Sequence, residues 1–403
     1  MSPESPTKLA PRSPLWEGSS LRSFVPDEEP VVRVLHVIST GERRGAEVFA
    51  SDLVRSLAEA GLDQHVAVVR AEGNGNVAYE APMTILGPDS RTVRLLHLDP
   101  RPVHALRRLV KEMEPDVIQA HGGEALKFSV AATRSFGTAI AYRKIGQAHP
   151  SATRGLRRAV HASLIRRASR VVIVADALRH ETEVIFGVPH QRVMHIPNGV
   201  DPSRLVTIGT RETVRQDIGI PLAAPLLLSV TAFTWEKDPG AHLAVAARVL
   251  RRCRDVFCVL VGDGPMRRRI GAMVRARGLD DRILLIGRRV DVADLLQASD
   301  ALLLASRTEG MPGCVIEAGM LRVPVAAYAI AGIPEVVKHG TTGLLAPPRD
   351  VEGLAVRASE LLQDPDRRLT MGRAAEVWCR SRFDISTVAP RYLELYETLG
   401  NRI

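Results

Sequence analysis

ALLLASRTEGMPGCVIE, residues 301–317, reads as a strand, a turn and the start of a helix, in that order. Residues 301–305 are an unbroken apolar run, short enough for a strand buried on both faces. Gly310 and Pro312 make a tight turn. Gly313 and Cys314 then offer backbone N–H groups where the helix begins, a position that suits a phosphate. Glu309 precedes the turn and Glu317 follows two turns later, so both can border one ligand from different heights. A carboxylate is also the natural acceptor for a vicinal diol such as a ribose. Taken alone, the pattern fits a ligand-binding pair as well as it fits a surface charge and a helix-face residue.

The same grammar runs outward in both directions. Short β-branched or apolar runs at 31–39, 64–69, 83–86, 116–120, 139–143, 171–174 and 193–196 alternate with amphipathic stretches such as 46–60, where Val48, Leu53, Leu57 and Ala60 fall roughly on one face. A second series occupies 226–230, 257–261, 283–286, 301–305, 323–327 and 344–346. Uniformly apolar strands separated by helices predict parallel sheets covered on both faces. The expected fold is α/β, with two doubly wound, Rossmann-like domains facing across a cleft. One spans 31–200 together with a C-terminal helix at 383–403; the other spans 201–382; they join near 199–215, where Asn198-Gly199 and Asp201-Pro202 supply turn chemistry. In the tail, Val388, Tyr392, Leu393 and Tyr396 share an apolar face. Ligands of such folds bind at the carboxyl ends of the strands, so the loops there carry the functional expectation.

Composition removes several classes. The 403 residues are 45% hydrophobic and 25% charged, as in an ordinary globular chain. The net charge of +9 comes from 54 basic residues, of which only six are Lys. Arg in place of Lys is simply explained by a GC-rich coding sequence, so bulk basicity says little about partners. No run of 18 apolar residues is present. Residues 1–30, rich in Pro and Ser and without an apolar core, are expected to be a disordered leader and not a secretory signal. Cys253, Cys258, Cys314 and Cys379 lack metal-ligand spacing and read as buried thiols of a reducing cytoplasm. Aromatic residues, at 4%, are too sparse for a base-stacking surface, so no nucleic-acid partner is expected.

Further candidates also follow strands. Lys237, in Trp235-Glu236-Lys237-Asp238-Pro239, lies where a cation would neutralise a diphosphate. Thr40-Gly41-Glu42-Arg43-Arg44-Gly45-Ala46-Glu47 is a glycine-containing strand-to-helix loop. His121, before Gly122-Gly123, ends a strand. Gly262-Asp263-Gly264-Pro265 and Gly332-Ile333-Pro334-Glu335 are turns of the same placement.

Together, from residue 31 to 396, these elements resemble the retaining, nucleotide-sugar-dependent glycosyltransferases of the GT-B fold, the large family 4 (group 1). The resemblance rests on Arg44-Gly45-Ala46-Glu47, DVIQAHG at 116–122, IPNGVD at 196–201, Glu236-Lys237, VGDGP at 261–265, the Glu309 and Glu317 pair, and GIPE at 332–335 through TGLL at 342–345. It implies that Glu317 accepts ribose hydroxyls, Glu309 borders the donor sugar, and Gly313 and Cys314 bind a phosphate through backbone N–H groups. It further implies that Lys237 neutralises the diphosphate, that His121 contacts the sugar near the reacting carbon, that Gly45 lets its loop approach the phosphate, and that Gly287 and Arg288 lie by the nucleobase. The second domain would hold the donor and the first the acceptor, with the last helix crossing back to the first.

Two positions depart from the family pattern: Ala232 stands where an Arg is common, and Arg44 replaces the first glycine of a pair. A lost cation opposite a leaving diphosphate costs on the order of 10²–10³ in rate. Arg44, reaching from the other domain, is a candidate replacement, and equally readable as a solvated loop residue. No DxD motif is placed to hold a metal, and no cofactor is expected beyond the nucleoside diphosphate sugar as substrate. The implied reaction is sugar transfer to an acceptor hydroxyl with retention, in surface polysaccharide or glycolipid assembly. The acceptor is expected to be a sugar, a lipid-linked sugar or a polysaccharide. The segment 151–170 carries Arg154, Arg157, Arg158, Arg166, Arg167 and Arg170 without an acid; it is a candidate for peripheral docking on an anionic membrane or a solvated basic helix. A nucleotide-sugar-binding protein without turnover, and another chemistry on this fold such as a sugar-nucleotide epimerase or a phosphorylase, are the competing readings.

Overall fold

The computed structural model describes residues 32–71, 77–87 and 99–400. The expected leader at 1–30 and the last three residues of the expected terminal helix lie outside the described residues.

Seven strands build the first sheet: β1 (Arg33–Thr40), β2 (Asp63–Arg70), β3 (Met83–Ile85), β4 (Val117–His121), β5 (Ala139–Lys144), β6 (Arg170–Ile173) and β7 (Val193–His195). Six build the second: β8 (Leu226–Val230), β9 (Phe257–Val261), β10 (Ile283–Gly287), β11 (Ala301–Leu304), β12 (Val325–Tyr328) and β13 (Gly343–Ala346). Every pairing is parallel, in the orders β3-β2-β1-β4-β5-β6-β7 and β10-β9-β8-β11-β12-β13. Each order reverses direction once, between β1 and β4 and between β8 and β11. Crossover connections leave opposite faces of the sheet on the two sides of such a point, and a crevice opens at the strands' carboxyl ends.

The strands read from the sequence fall on the observed ones within two residues. The helix expected at 46–60 is Gly45–Glu59, but its buried face differs. Phe49, Ala50, Leu53, Val54 and Leu57 are buried, whereas Val48 is half-buried and Ala60 exposed. Asp52 and Glu47 are buried there as well, which an apolar-periodicity reading passes over.

The tail helix is Ile385–Gly400, separate from the preceding helix Pro365–Phe383. The break comes at Asp384, whose extended backbone (ψ 135°) bridges to Val200. Its carboxylate accepts the Ser386 N–H at 3.0 Å. Val388, Tyr392 and Tyr396 pack with Val34, Phe49, Leu53 and Val117 of the first sheet layer. Leu393 is only half-buried. The chain's last helix thus shares the core of its first α/β layer. Cys258 and Cys379 are buried as expected, while Cys253 and Cys314 are half-buried, and all four are free thiols.

Candidate functional site

Lys237 and Glu309 lie 72 positions apart in sequence, yet Lys237 Nζ donates to Glu309 Oε2 at 2.6 Å. Their meeting follows from the topology. Residues 231–238 follow β8 and residues 305–312 follow β11, the two strands that flank the reversal of the second sheet. The loops are stitched by backbone: the N–H groups of Arg307 and Thr308 both donate to the Glu236 carbonyl, at 3.0 and 3.3 Å. The Asp238 carboxylate holds Arg307 Nε at 2.6 Å and also accepts the Ala241 N–H in the first turn of helix Pro239–Arg252. The Glu309 side chain is 3% exposed and Lys237's is 31% exposed, so a half-buried lysine meets a buried carboxylate. Burial disfavours the charged lysine, but Glu309 overrides it and holds Lys237 above the ordinary lysine range. Glu309 Oε1 is buried without a hydrogen-bond partner.

Gly310 carries this loop over the first sheet. A Cβ built on it would stand 2.0 Å from the Ile145 carbonyl oxygen, so only glycine permits the approach. Asn198 fastens the next residue: its Nδ2 donates to the Met311 carbonyl at 2.5 Å, while its Oδ1 accepts from Arg143 Nη2 at 2.5 Å. The Asn198-Gly199 pair, read as turn chemistry, is therefore also a bridge between the two sheets' loops.

Gly313 and Cys314 open the helix Gly313–Met320, behind an N-cap Pro312 that gives no side-chain cap. Their N–H groups are among those that a helix cannot satisfy internally. Burial, with Glu317 and Glu309 nearby, pushes the Cys314 thiol up to about 12, so it stays a neutral thiol. Glu317 does not stand free. Its Oε1 accepts from Arg204 Nη2 at 3.1 Å, and Arg204 Nε in turn reaches Asp52 Oδ1 at 2.7 Å.

Arg44 is the N-cap residue of helix Gly45–Glu59, and its Nε donates to Glu42 at 2.8 Å. Arg288, from the second sheet, lies 3.8 Å from the same carboxylate. Glu42 therefore draws together two candidates from separate domains. Gly45 faces open space. Gly287 ends β10, its carbonyl accepting the Gly262 N–H at 2.7 Å. Ala232 is exposed.

His121 is placed differently from the rest. It is 2% exposed at the end of β4, and its ring nitrogen Nε2 bonds His36 Nδ1 at 3.1 Å. Burial, then the neighbouring His36 and Arg143, holds it well below the usual histidine range, so it is neutral. Its strand-register partner Arg143 is buried and stacked 3.7 Å over the Phe49 ring.

In short, Lys237, Glu309, Gly313, Cys314 and Glu317 gather at one end of the second sheet, and Arg44 and Arg288 meet through Glu42. His121 stands within the first sheet, bonded to neither group. Sequence reasoning missed Arg204, Asp52, Arg143, His36 and Gln64. The available signal was a polar residue inside an apolar run: His36 interrupts RVLHVIST, and Arg143 with Lys144 ends AIAYRK.

A cavity of about 650 Å³ lies beside the helix Gly155–Ile165. Tyr142, Ile145, Leu156, Val160, Ile165 and Phe186 line it, with Arg157 and His161 also on its wall. Leu156 and Val160 on that helix are 81% and 52% exposed. That face is not covered by the core, and Arg154, Arg157 and Arg158 are exposed beside it.

Residues 210–378 match the family model described as glycosyl transferases group 1, and residues 43–204 match that of glycosyltransferase family 4. The chain is 29% identical over 226 residues to the N-acetyl-alpha-D-glucosaminyl L-malate synthase of Bacillus anthracis, covering 56% of this chain and 58% of that protein. It is 26% identical over 397 residues to a D-inositol 3-phosphate glycosyltransferase of Kineococcus radiotolerans, covering 89% and 91%. The chain spans about three-fifths of the length of several such relatives, 58%, 62% and 64% in three of them. Among solved structures, Anabaena HepE in complex with UDP and glucose superposes with a TM-score of 0.77 at 21% identity, covering 91% of this chain and 100% of that one. The likeness shows the two-domain GT-B fold.

Proposed function

Because the chain belongs to the family 4, group 1 glycosyltransferases, we propose that it transfers a sugar from a nucleoside diphosphate sugar to an acceptor hydroxyl. The observation that carries this reading is the Lys237–Glu309 pair at 2.6 Å, set beside the uncapped start of helix Gly313–Met320. Lys237 turns from Glu309 to the diphosphate as the donor enters, adding its charge to that of the helix N-terminus. Glu309, its Oε1 already without a partner, then accepts donor-sugar hydroxyls. Glu317 takes the ribose with the oxygen that Arg204 leaves available. Arg288 and Gly287 border the nucleobase, and the open space at Gly45 admits a phosphate.

Transfer proceeds with retention by attack on the face from which the diphosphate departs. The leaving phosphate oxygen takes the acceptor's proton, while Lys237 and the N–H groups of Gly313 and Cys314 stabilise the departing charge. No side chain of this chain is assigned as a nucleophile. Release of nucleoside diphosphate from a donor panel, measured with and without acceptor sugars, tests the proposal. Acceptor-dependent release supports it, and absence of binding to every nucleoside diphosphate by calorimetry overturns it. Binding without release would favour a donor-binding protein, the reading that Ala232 recommends.

The acceptor belongs to the first domain, and the cavity beside Leu156 and Val160 favours an amphiphilic one, as in glycolipid or surface polysaccharide assembly. The exposed arginines of the same helix suit docking on the inner face of an anionic membrane. No helix among the described residues is long and apolar enough to cross a membrane. Flotation with phosphatidylglycerol vesicles, lost in Leu156→Glu/Val160→Glu, is the expected result. Equal flotation with neutral vesicles overturns the docking.

A further inference from the structure

A chain of hydrogen bonds in the first sheet leads to His121, and its direction is fixed at one end. The Val54 backbone carbonyl only accepts, so Gln64, 3.0 Å from it, donates through its Nε2 amide. That sets the amide's orientation and leaves Gln64 Oε1 as an acceptor. Oε1 lies 3.1 Å from His36 Nε2, which must then carry the proton. Burial keeps His36 neutral, down to about 4, with the Gln64 bond opposing the shift, so only one of its nitrogens is protonated. His36 Nδ1 is therefore a lone pair, and His121 Nε2, 3.1 Å away, is the N–H that it accepts. His121 is neutral too. Its proton is thus committed to Nε2, and Nδ1 is left as a bare acceptor, buried and without a partner.

The ring centroids lie 5.4 Å apart with 24° between the planes, a separation that accommodates an edge-to-edge bond. Beside His121 in strand register stands the buried Arg143, with the Tyr392 hydroxyl close to its guanidinium. A buried bare acceptor is satisfied by a group that gives a hydrogen bond, and a hydroxyl gives one.

We propose that His36 and Gln64 are positioning residues that lock His121 into the Nε2–H tautomer, so that its Nδ1 accepts the proton of a donor-sugar hydroxyl. The part concerning the sugar rests on the glycosyl-transfer reading; the tautomer lock does not. Its consequence is selectivity. A donor lacking that hydroxyl leaves His121 Nδ1 buried and unpaired, a loss of about 10–100-fold in kcat/KM. Without the lock, His121 would present an N–H in part of the population, and the penalty for the deoxy donor would shrink.

Imidazole ¹⁵N shifts of the uniformly labelled full chain test the lock, with His36→Asn and His121→Asn assigning the signals. Neutral Nε2–H tautomers at both residues are expected. An Nδ1–H tautomer at either one overturns the proposal, whatever the turnover. In Gln64→Leu the His121 shifts should move toward the tautomer average; unchanged shifts overturn Gln64's role. The second arm compares UDP-glucose with its monodeoxy analogues, or GDP-mannose with its own if the enzyme turns over that donor instead. One position should lose about 10–100-fold in kcat/KM, and Gln64→Leu should narrow that gap. Uniform losses at every position overturn the hydroxyl contact. Failure of glycosyl transfer itself is recognised separately, as no turnover of any donor alongside an intact tautomer signature.

Discussion

Arg204 Nη2 stands 3.1 Å from Glu317 Oε1 while its Nε stands 2.7 Å from Asp52 Oδ1. One guanidinium thus joins the helix Gly313–Met320 of the second domain to the helix Gly45–Glu59 of the first. Asp52 is 1% exposed, and burial raises its carboxyl above the usual range against the opposing pull of Arg204. Arg204→Ala leaves that acid without its cation and is expected to cost about 3 kcal/mol of stability. Asp52→Asn in the same chain should recover part of the loss. Urea unfolding of the two single variants and the double variant measures the coupling, and strict additivity would show that the contact carries none.

Lys237→Met should lower kcat by on the order of 10²–10³. It also strips Glu309 of its partner, so Lys237→Met/Glu309→Gln should regain stability without regaining turnover. Steady-state release of nucleoside diphosphate and thermal unfolding, read side by side, separate the two effects.

Gly310→Ala sets a methyl 2.0 Å from the Ile145 carbonyl, and the loop carrying Glu309 must move. A loss of about 1–3 kcal/mol, with reduced turnover, is expected. Gly45→Ala meets nothing within 4 Å and should leave stability near the parent value. A raised KM for the donor in Gly45→Ala then reports the approach of a ligand to that loop.

Arg44 is paired to Glu42, which also lies 3.8 Å from Arg288. If Arg44 supplies the charge missing at Ala232, Arg44→Ala should reduce turnover, and much less so in an Ala232→Arg background. Equal effects in both backgrounds would make Arg44 a contact of the domain interface alone.

Stability should fall on mild acidification. His36 is held neutral in the folded chain down to about 4, while the unfolded chain takes up that proton near 6.5. Between these values the unfolded state binds more protons, so stability rises with pH and is lost as pH falls from 6.5 toward 4. His36 alone contributes roughly 3 kcal/mol across that window. His121, shifted in the same direction, adds to the slope. Urea unfolding from pH 4.5 to 7.5 should be flatter in the His36→Asn/His121→Asn variant.

The alternation of apolar runs and amphipathic stretches determined thirteen strands to within two residues, because a parallel sheet covered on both faces demands apolar residues at nearly every strand position. It also marked the loops that bear Lys237 and Glu309 and the strand end that bears His121, since turn residues and strand ends are written locally. What a side chain faces is not local. Glu317 reads as a free carboxylate, and only the packing of two helices, 265 positions of chain apart between Asp52 and Glu317, brings Arg204 between them. His36 reads as a blemish in a strand, and only the pairing of β1 with β4 puts its ring against His121. Sequence periodicity reports burial one element at a time; the partner that satisfies a buried charge or a ring nitrogen arrives from another element, and the sheet order decides which.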